Sequence, residues 1–435
     1  MKTGRILVKY ALTLLVLILL GLGFLYLAGL LPQQPIREHL AASLYQFQSD
    51  EAMPQVSDDI RWSDRMDIYS EHLMLTHAFY MNTREDPTSI AANPGYLRED
   101  SSTWQGFLTI LSEPTEPNFY YARYWMGFRG YLRILLCFLT YPEIRRLNMI
   151  VILLLFSLAL VKLCRRLRGA VAVPMLLAAA FVLCNPFVIL STLHSGTCFA
   201  IAFGGIAFLP KRERRFLSYP MYFFLLGALT QYLDFYTSPL ICYALPMTAL
   251  LLTEGQAEGR VAPRGAFRLA GRCALAWFAA YALFWIGKMG ATTLLSDQNG
   301  FADAFGSLLF RLGAGAEAAA MPELSYNPLT ALARCFARLV LDNLAASMAL
   351  LGAIGLVWLI LFFRRGARLP RFQAAAVYLC VALLPILWFV VAAQPTIIHA
   401  RFQYRQLAAF LFAGGAFILA SLRPPGETLH PAPPD

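Results

Sequence analysis

Long apolar runs separated by short polar junctions constrain this chain more than any other feature. About ten of these runs approach the roughly 20 apolar residues that a helix needs to cross a bilayer. Of the 435 residues, 58% are hydrophobic and 14% are charged, and the mean hydropathy is +0.55. A soluble domain has about 25% charged residues. The chain is therefore predicted to be an all-α polytopic membrane protein.

The positions of the apolar runs divide the chain into four parts. We predict an N-terminus with a first span (1–31), a long polar loop (32–146), a bundle of about nine helices (147–422) and a Pro-rich, disordered tail (423–435). The first span begins near residue 10. The other nine cover approximately 147–163, 171–190, 195–209, 218–235, 238–253, 270–287, 344–363, 374–393 and 403–421.

Basic residues cluster at alternate junctions. The junctions on one side carry 20 of the 36 Lys and Arg residues but five of the 26 Asp and Glu residues. By the positive-inside rule this side is cytoplasmic. We therefore predict a multi-pass protein of the plasma (inner) membrane, with both termini in the cytoplasm and the long loop outside. The net charge of +10 comes from these clusters and not from a binding stripe, so no nucleic acid is expected.

The outer loop 32–146 is the place for a folded unit beside the membrane. A helix is predicted over 66–81, and interfacial helices are predicted over 36–47 and 120–138. The last of these mixes aromatic residues with arginines, which we expect to reach lipid phosphates.

Three acids of this loop, Asp64, Asp67 and Glu71, share one face at helical spacing. Paired carboxylates can divide the work of a general base and of a group that holds a metal or sets a pKa. Asp64 and Asp67 are therefore candidate catalytic residues, and all three are candidate ligands if a metal is present. The alternative is that Asp64 caps the helix and Asp67 stands at its third position.

Other polar residues stand at predicted outer helix ends. Asp234 ends one span before a Pro-containing turn, His194 occupies a short turn, and Lys288 ends another span. An acid at membrane depth costs about 2.5–3.5 kcal/mol unless it is paired or hydrated, which makes Asp234 a candidate substrate-binding residue. The alternatives are an interfacial acid for Asp234, a simple turn residue for His194 and a snorkelling anchor for Lys288.

The last outer turn carries His399, Arg401, Tyr404 and Arg405. Arginine offers a planar guanidinium that binds phosphate in a bidentate manner, so this turn is predicted to hold a lipid phosphate or pyrophosphate. Arg405 lies about one turn inside the apolar run, where an unpaired charge is costly. The alternative is a structural pair with Asp234 or another acid.

In this plan the chain resembles the GT-C superfamily, integral-membrane glycosyltransferases that use polyprenyl-phosphate sugars. The resemblance covers nearly the whole chain. It implies a catalytic acid in the first outer loop, for which Asp64 and Asp67 are the matching residues, and lipid-phosphate binding by Lys288, Arg401 and Arg405. The chain departs from the family pattern in three ways. Its acids are spaced Asp-x-x-Asp, they fall about 33 residues after the first span, and no sizeable C-terminal soluble domain follows.

The resemblance implies an inverting transfer of a sugar from a polyprenyl-phosphate donor to a cell-envelope glycan or glycolipid on the outer face. The expected partners are the lipid-linked donor, the acceptor and membrane lipid. The sequence identifies no particular cofactor, although a divalent cation such as Mg²⁺ or Mn²⁺ could take part. Two alternatives stay open: a transporter or flippase of a lipid-linked or anionic substrate, and a non-catalytic envelope assembly protein whose acids only cap helices.

Overall fold

The computed structural model describes most of the chain, and its described part is helical almost throughout. Asp64 and the predicted tail 423–435 lie outside the described residues. The described residues are 2–47, 66–81, 86–97, 103–113, 115–168, 170–211, 213, 217–234, 237–257, 263–311, 326–364 and 369–422.

A first long helix leads into a set of short elements, which we call the loop module (described residues 32–140). Its two strands pair in an antiparallel register, Gly95 with Tyr120 and Tyr96 with Phe119. The elements in order are α1 (Lys2–Gly29), α2 (Gln33–Ala42), α3 (Ile68–Phe79), α4 (Pro87–Ala92), β1 (Gly95–Tyr96), α5 (Thr103–Ser112), β2 (Phe119–Tyr120) and α6 (Phe128–Leu136).

The helical bundle follows the loop module. Its elements are α7 (Tyr141–Arg166), α8 (Ala172–Val182), α9 (Pro186–Ser191), α10 (Leu193–Ala207), α11 (Tyr219–Leu233), α12 (Ile241–Ala257), α13 (Pro263–Leu295), α14 (Gly300–Arg311), α15 (Pro328–Ala337), α16 (Leu344–Arg364), α17 (Leu369–Ala382), α18 (Leu384–Val391), α19 (Ala393–Ile398), α20 (Ala400–Gln403), the 3₁₀ turn η1 (Tyr404–Gln406) and α21 (Leu407–Ser421).

Six stretches of helix are long and apolar enough to cross a membrane, which supports an all-α membrane protein. They are Gly4–Gly29, Tyr141–Arg166, Arg264–Leu295, Leu344–Arg364, Phe372–Val391 and Ala400–Ser421. Large apolar side chains on α1, α7 and α16 are exposed, as expected for helices that contact lipid. The figure of ten spans stays a prediction, because several of the predicted runs form shorter helices.

Two of the predicted spans are interrupted at positions that face each other. The run 171–190 breaks at Asn185, whose φ of 57° is left-handed and whose side chain then caps α9. The final run, 403–421, contains the 3₁₀ turn η1 (Tyr404–Gln406) before α21 begins. Tyr404 donates a hydrogen bond to the Cys184 carbonyl over 3.2 Å, and the Cys184 thiol donates to the Arg405 carbonyl over 3.7 Å. The sequence showed no such pair of broken helices.

The loop module has a hydrophobic core of its own. Helix α3 lies at its centre, because every residue from Ser70 to Phe79 is buried. Leu73, Phe107 and Leu132 belong to this core, and so does Leu193 at the start of α10. The module is therefore a packed unit that shares its core with the bundle at one helix end.

Buried arginines of α6 fasten the loop module to its neighbours. The Arg133 guanidinium donates to the carbonyls of Ala28, Leu31, Ala78 and Phe79 and to the side-chain oxygen of Gln33, over 2.7–3.0 Å. Burial lowers the pKa of Arg133 to about 10, so the side chain keeps its charge at neutral pH.

Arg129, one turn earlier on α6, donates to the carbonyls of Met126, Ile90 and Ala91. The prediction that the arginines of 120–138 reach lipid phosphates is therefore wrong for Arg129 and Arg133. A buried guanidinium has to satisfy its donors inside the protein, and carbonyls at helix ends offer free acceptors.

Candidate functional site

The site begins with the N-terminus of α3. Asp67 is the N-cap: its carboxylate accepts from the Ser70 backbone N–H over 3.2 Å and from the Ser70 hydroxyl over 2.8 Å. The alternative that puts Asp67 three positions inside the helix is wrong for Asp67, because the helix starts at Ile68 and Asp67 itself is the cap. The capping role of Asp67 uses part of its hydrogen-bonding capacity and leaves room for further partners.

Those further partners come from two distant parts of the bundle. Arg401 Nη2 lies 3.0 Å from Asp67 Oδ1, and His194 Nε2 lies 3.7 Å from Asp67 Oδ2. Asp67 is only 4% exposed. Burial by itself raises the pKa of this carboxyl, but His194, Arg401 and the Ser70 hydrogen bonds together hold it below its usual value. Asp67 is therefore an ionised acid at neutral pH.

Glu71, one turn further along α3, is fully buried and has a different role. Its carboxylate accepts from the backbone N–H groups of Leu193 and His194 over 2.9–3.0 Å and from the Tyr141 hydroxyl over 2.8 Å. These N–H groups begin α10 and have no partner within that helix. Burial raises the pKa of Glu71, but the contacts with His194 and Leu193 outweigh it, so the net shift is downward. Glu71 thus caps a bundle helix from the loop module.

His194 lies between the two carboxylates. Its Nδ1 lies 3.3 Å from Glu71 Oε1, and its Nε2 lies 3.3 Å from the Ser195 hydroxyl as well as near Asp67. Because an ionised carboxylate can only accept, Glu71 favours the tautomer with hydrogen on Nδ1 and leaves Nε2 facing Asp67 and Ser195. The Phe402 ring packs edge-on against His194 and stacks on His399, which brings His399 beside the site.

The basic side of the site comes from the broken last span. Arg401 is about one-third exposed, whereas Arg405 and Tyr404 are buried. Arg405 donates to the Arg401 carbonyl over 3.1 Å, and its guanidinium lies 5.1 Å from the Tyr404 ring centre. The Nε atoms of Arg401 and Arg405 have no hydrogen-bond partner among the described residues. Two guanidinium groups therefore retain donors for an anionic ligand.

Asp234 lies at the edge of the site. Its carboxylate is buried and accepts from the Thr237 N–H over 3.1 Å and from the Thr237 hydroxyl over 2.7 Å. It is close enough to His194 to interact electrostatically. Within the described part of the chain, no ion pair joins Asp234 to Arg405 or Lys288, so the structural pair considered for Arg405 does not form with this acid.

Lys288 is separate from the acids. It is fully buried on α13, and its ammonium donates to the carbonyls of Ala92 and Ala122 and to the Thr292 hydroxyl. All three of its donors thus have partners in the protein. The structure places Lys288 at the junction of α13 and the loop module and does not bring it to the Asp67 site.

Other groups near the site carry no strong signal in the sequence. Tyr141 and Ser195 contact Glu71 and His194 but are ordinary polar residues at helix starts. Arg338 lies just after α15, pairs with Asp342 over 3.3 Å and is near enough to Arg405 for mutual repulsion. An arginine inside the apolar stretch 331–340 was the available clue to this residue.

The three acids predicted as metal ligands do not form a ligand set in the described structure. Asp64 lies outside the described residues, His194 stands between Asp67 and Glu71, and the Glu71 oxygens already accept several hydrogen bonds. In the part of the chain that the structure describes, no group of three or more His, Cys, Asp or Glu side chains could hold a metal ion.

The site can bind an anion and accept a proton at neighbouring positions. Arg401 supplies a partly solvated cation, Asp67 supplies an ionised carboxylate, and His194 offers a ring nitrogen beside that carboxylate. Comparisons of the chain with models of protein families, with curated proteins and with solved structures found no match. The inference about function therefore rests on this geometry.

Proposed function

We propose that the protein is a membrane glycosyltransferase that moves a sugar from a polyprenyl-phosphate donor to a cell-envelope glycan or glycolipid. The observation that carries the proposal is the 3.0 Å contact between Asp67 and Arg401. It joins an acid of the loop module to the arginine-bearing turn of the last span. Inverting sugar transfer needs these two functions side by side: a proton acceptor and a cation for the leaving phosphate.

In the proposed resting state Asp67 and Arg401 neutralise each other. A donor phosphodiester competes for Arg401, because its two non-bridging oxygens accept bidentate hydrogen bonds from a guanidinium. The unpartnered Nε of Arg405 adds a second donor nearby. When Arg401 turns to the phosphate, one of the causes that lower the pKa of Asp67 is removed, so the carboxylate becomes a stronger base.

In the transfer step an acceptor hydroxyl oxygen attacks the anomeric carbon as the bond from that carbon to the phosphate oxygen breaks. The electrons of the broken bond stay on the phosphate, whose charge Arg401 stabilises. Asp67 takes the proton of the hydroxyl, and His194 Nε2, at 3.7 Å, can receive it next. The attack comes from the face opposite the leaving group, so the anomeric configuration inverts.

Glu71 acts on this chemistry through His194. Its contact with Nδ1 fixes the orientation and tautomer of the ring. Because Glu71 also caps α10, the same carboxylate holds the catalytic helix end against the loop module. We therefore assign Glu71 as a positioning residue.

A second candidate function, transport of a lipid-linked substrate, is favoured by the facing helix breaks near Cys184 and Arg405. Many transporters place their substrate at discontinuous helices. This candidate predicts movement of the lipid across a bilayer and no glycosylated product.

The test is release of polyprenyl phosphate by the purified full-length protein in nanodiscs. A panel of polyprenyl-phosphate hexoses and pentoses is offered with cell-envelope glycan and glycolipid fractions. We expect release with at least one donor, coupled to labelled product. Asp67→Asn and Arg401→Gln should each lower the rate at least about a hundredfold, the scale of losing a general base or a charge-stabilising donor. Parallel reactions with EDTA test the participation of Mg²⁺ or Mn²⁺.

Glu113→Gln is the matched control for the acid, because Glu113 is exposed and lies outside the site. Thermal unfolding of every variant separates loss of chemistry from loss of fold. Full transfer by a folded Asp67→Asn variant would leave Asp67 with its capping role alone and would overturn its role as general base. Neither product nor lipid movement with the wild-type protein would favour the assembly-protein alternative. Lipid movement in liposomes without any product from the wild-type protein would favour transport instead.

A further inference from the structure

A polar cavity of about 650 Å³ lies between the loop module and the end of α13. It shares no residue with the Asp67 site. Its polar lining comes from both sides, with Asp86, Asn93 and Tyr120 from the loop module and Asp297 and Gln298 after α13. Leu294 and Leu295 add apolar surface. A volume of about 300–1,000 Å³ is typical of pockets for small molecules.

Hydrogen bonds fix the two walls of this cavity relative to each other. The Thr292 hydroxyl, like the Lys288 ammonium, contacts the carbonyls of Ala92 and Ala122 over 2.8–2.9 Å. Ala92 directly precedes Asn93, so the anchored backbone carries a residue of the cavity wall. A preorganised site loses less conformational entropy on binding than a flexible one.

One polar atom of the wall has no partner. Asn93 is 5% exposed, and its Oδ1 is buried without a hydrogen bond among the described residues. An unsatisfied buried amide oxygen costs about 1–3 kcal/mol in a native protein. Asn93 lines the cavity, so a small rotation of its side-chain amide would point Oδ1 into the cavity. A hydroxyl of a bound ligand could then donate a hydrogen bond to Oδ1.

The lining selects one class of ligand. Among the described residues no Lys or Arg lines the cavity, and the two carboxylates repel phosphates and other anions. A bare cation would leave most of the volume unfilled. A neutral sugar is polar at its edges, where its hydroxyls can bond to carboxylates and amides, and apolar on its faces, which can pack against an aromatic ring or apolar side chains. The cavity wall offers both kinds of surface.

We propose that this cavity is a binding site for a neutral saccharide, of the size of one or two sugar units. It does not depend on the proposed transfer reaction, since binding here requires neither the lipid donor nor Asp67. A protein with this site in addition to the proposed transfer site could hold a glycan chain at a distance from its reacting end.

Saturation-transfer NMR on the full-length protein in nanodiscs tests the site without any lipid donor. The probes are glucose, galactose, mannose, arabinose, maltose and cellobiose, with CaCl₂ and inorganic phosphate as competitors. We expect at least one sugar to bind. Asp297→Ala and Asn93→Ala should each weaken binding about tenfold, the effect of losing one good hydrogen bond. Glu113→Ala, at an exposed acid outside the cavity, should leave binding unchanged.

Two variants are used because Asn93 is buried and Asp297 is exposed, so a folding defect in the first cannot mimic the result in the second. The proposal fails if none of the six sugars binds, or if binding is the same in both cavity variants as in the wild type. It also fails if Ca²⁺ or phosphate at comparable concentration displaces the sugar from the wild-type site. None of these outcomes bears on whether polyprenyl phosphate is released in the transfer assay.

Discussion

The buried charges at the boundary between loop module and bundle are of two kinds. Arg133 and Lys288 are cations whose donors are taken up by carbonyl, hydroxyl and amide oxygens. Asp67 and Arg401 instead contact each other, and Arg401 keeps an unpartnered nitrogen and a third of its side-chain surface exposed. A charge whose partners are all backbone groups is fixed in place, whereas a charge paired with another mobile side chain can exchange that partner for a ligand. The first kind holds the fold and the second can perform chemistry.

The largest effect on stability is expected from removing Arg133, a cation whose hydrogen-bond donors all have partners in the protein. Arg133→Met leaves several buried carbonyls without a donor, each at a cost of about 1–3 kcal/mol, so we expect a loss of at least about 3 kcal/mol in unfolding free energy. Thermal and denaturant unfolding of the purified protein measure it. Arg146→Met, at an exposed arginine on the neighbouring α7, is the control. Equal stability of the two variants would remove the distinction between the two kinds of charge.

A smaller effect on stability is expected at Glu71, the carboxylate of the site whose oxygens already accept several hydrogen bonds. Glu71→Gln keeps the size of the side chain but replaces charge-assisted hydrogen bonds with neutral ones, which differ by about 1–2 kcal/mol in total. Because the pKa of Glu71 is lowered on folding, its contribution is complete above the unfolded value near 4.5. The contribution disappears as the pH falls through the folded pKa.

The stability difference between wild type and Glu71→Gln should therefore be largest at neutral pH and shrink below about pH 4.5. Urea unfolding at a series of pH values measures it. Burial lowers the pKa of His72 to about 4 and that of His77 to about 3, so these residues reduce stability in both proteins as the pH falls below 6.5. Because Glu71 raises the pKa of His72, the two proteins are compared in a His72→Phe background, and subtracting the curves then cancels the effect of His77. A difference that grows in acid would contradict the assignment.

The smallest effect on stability is expected at Arg401. Since its side chain is one-third exposed, Arg401→Gln should change the unfolding free energy by less than about 1 kcal/mol, as for other partly solvated ion pairs. The same sample should have lost transfer activity. A loss of stability as large as that of Arg133→Met would place Arg401 among the structural clamps and count against the proposed function.

Much of the helical structure could be predicted from the apolar runs. The run 344–363 matches α16, because a long uniformly apolar segment has few other ways to satisfy its backbone. The run 147–163 begins six residues late, although a capping box formed by Thr140 and Glu143 marks the start of α7. The helix break at Asn185 was missed, because apolar composition alone does not show where a helix is interrupted.

The candidate site could be predicted only as a set of separate residues. Asp67 was chosen as one of several acids at helical spacing, whereas His194, Arg401 and Arg405 were chosen because they stand at the ends of apolar helices, where polar groups are costly. The structure brings these residues together. Lys288 met the same criterion and lies elsewhere, in contact with carbonyls. The criterion detects a charge that needs a partner, but it does not identify that partner.

The sequence by itself determined the membrane character of the chain, the places where it is helical and the polar residues that stand at helix ends, because hydropathy and helix capping act over a few turns. Only the tertiary structure decided which of those polar residues have all their hydrogen-bonding groups occupied by other parts of the protein. That depends on groups remote in the chain, such as the carbonyls around Arg133 and the Asp67 carboxylate that meets Arg401. Hydrogen bonding is short-ranged in space but not in sequence, so the difference between a structural clamp and a candidate reactive site appears only when the chain has folded.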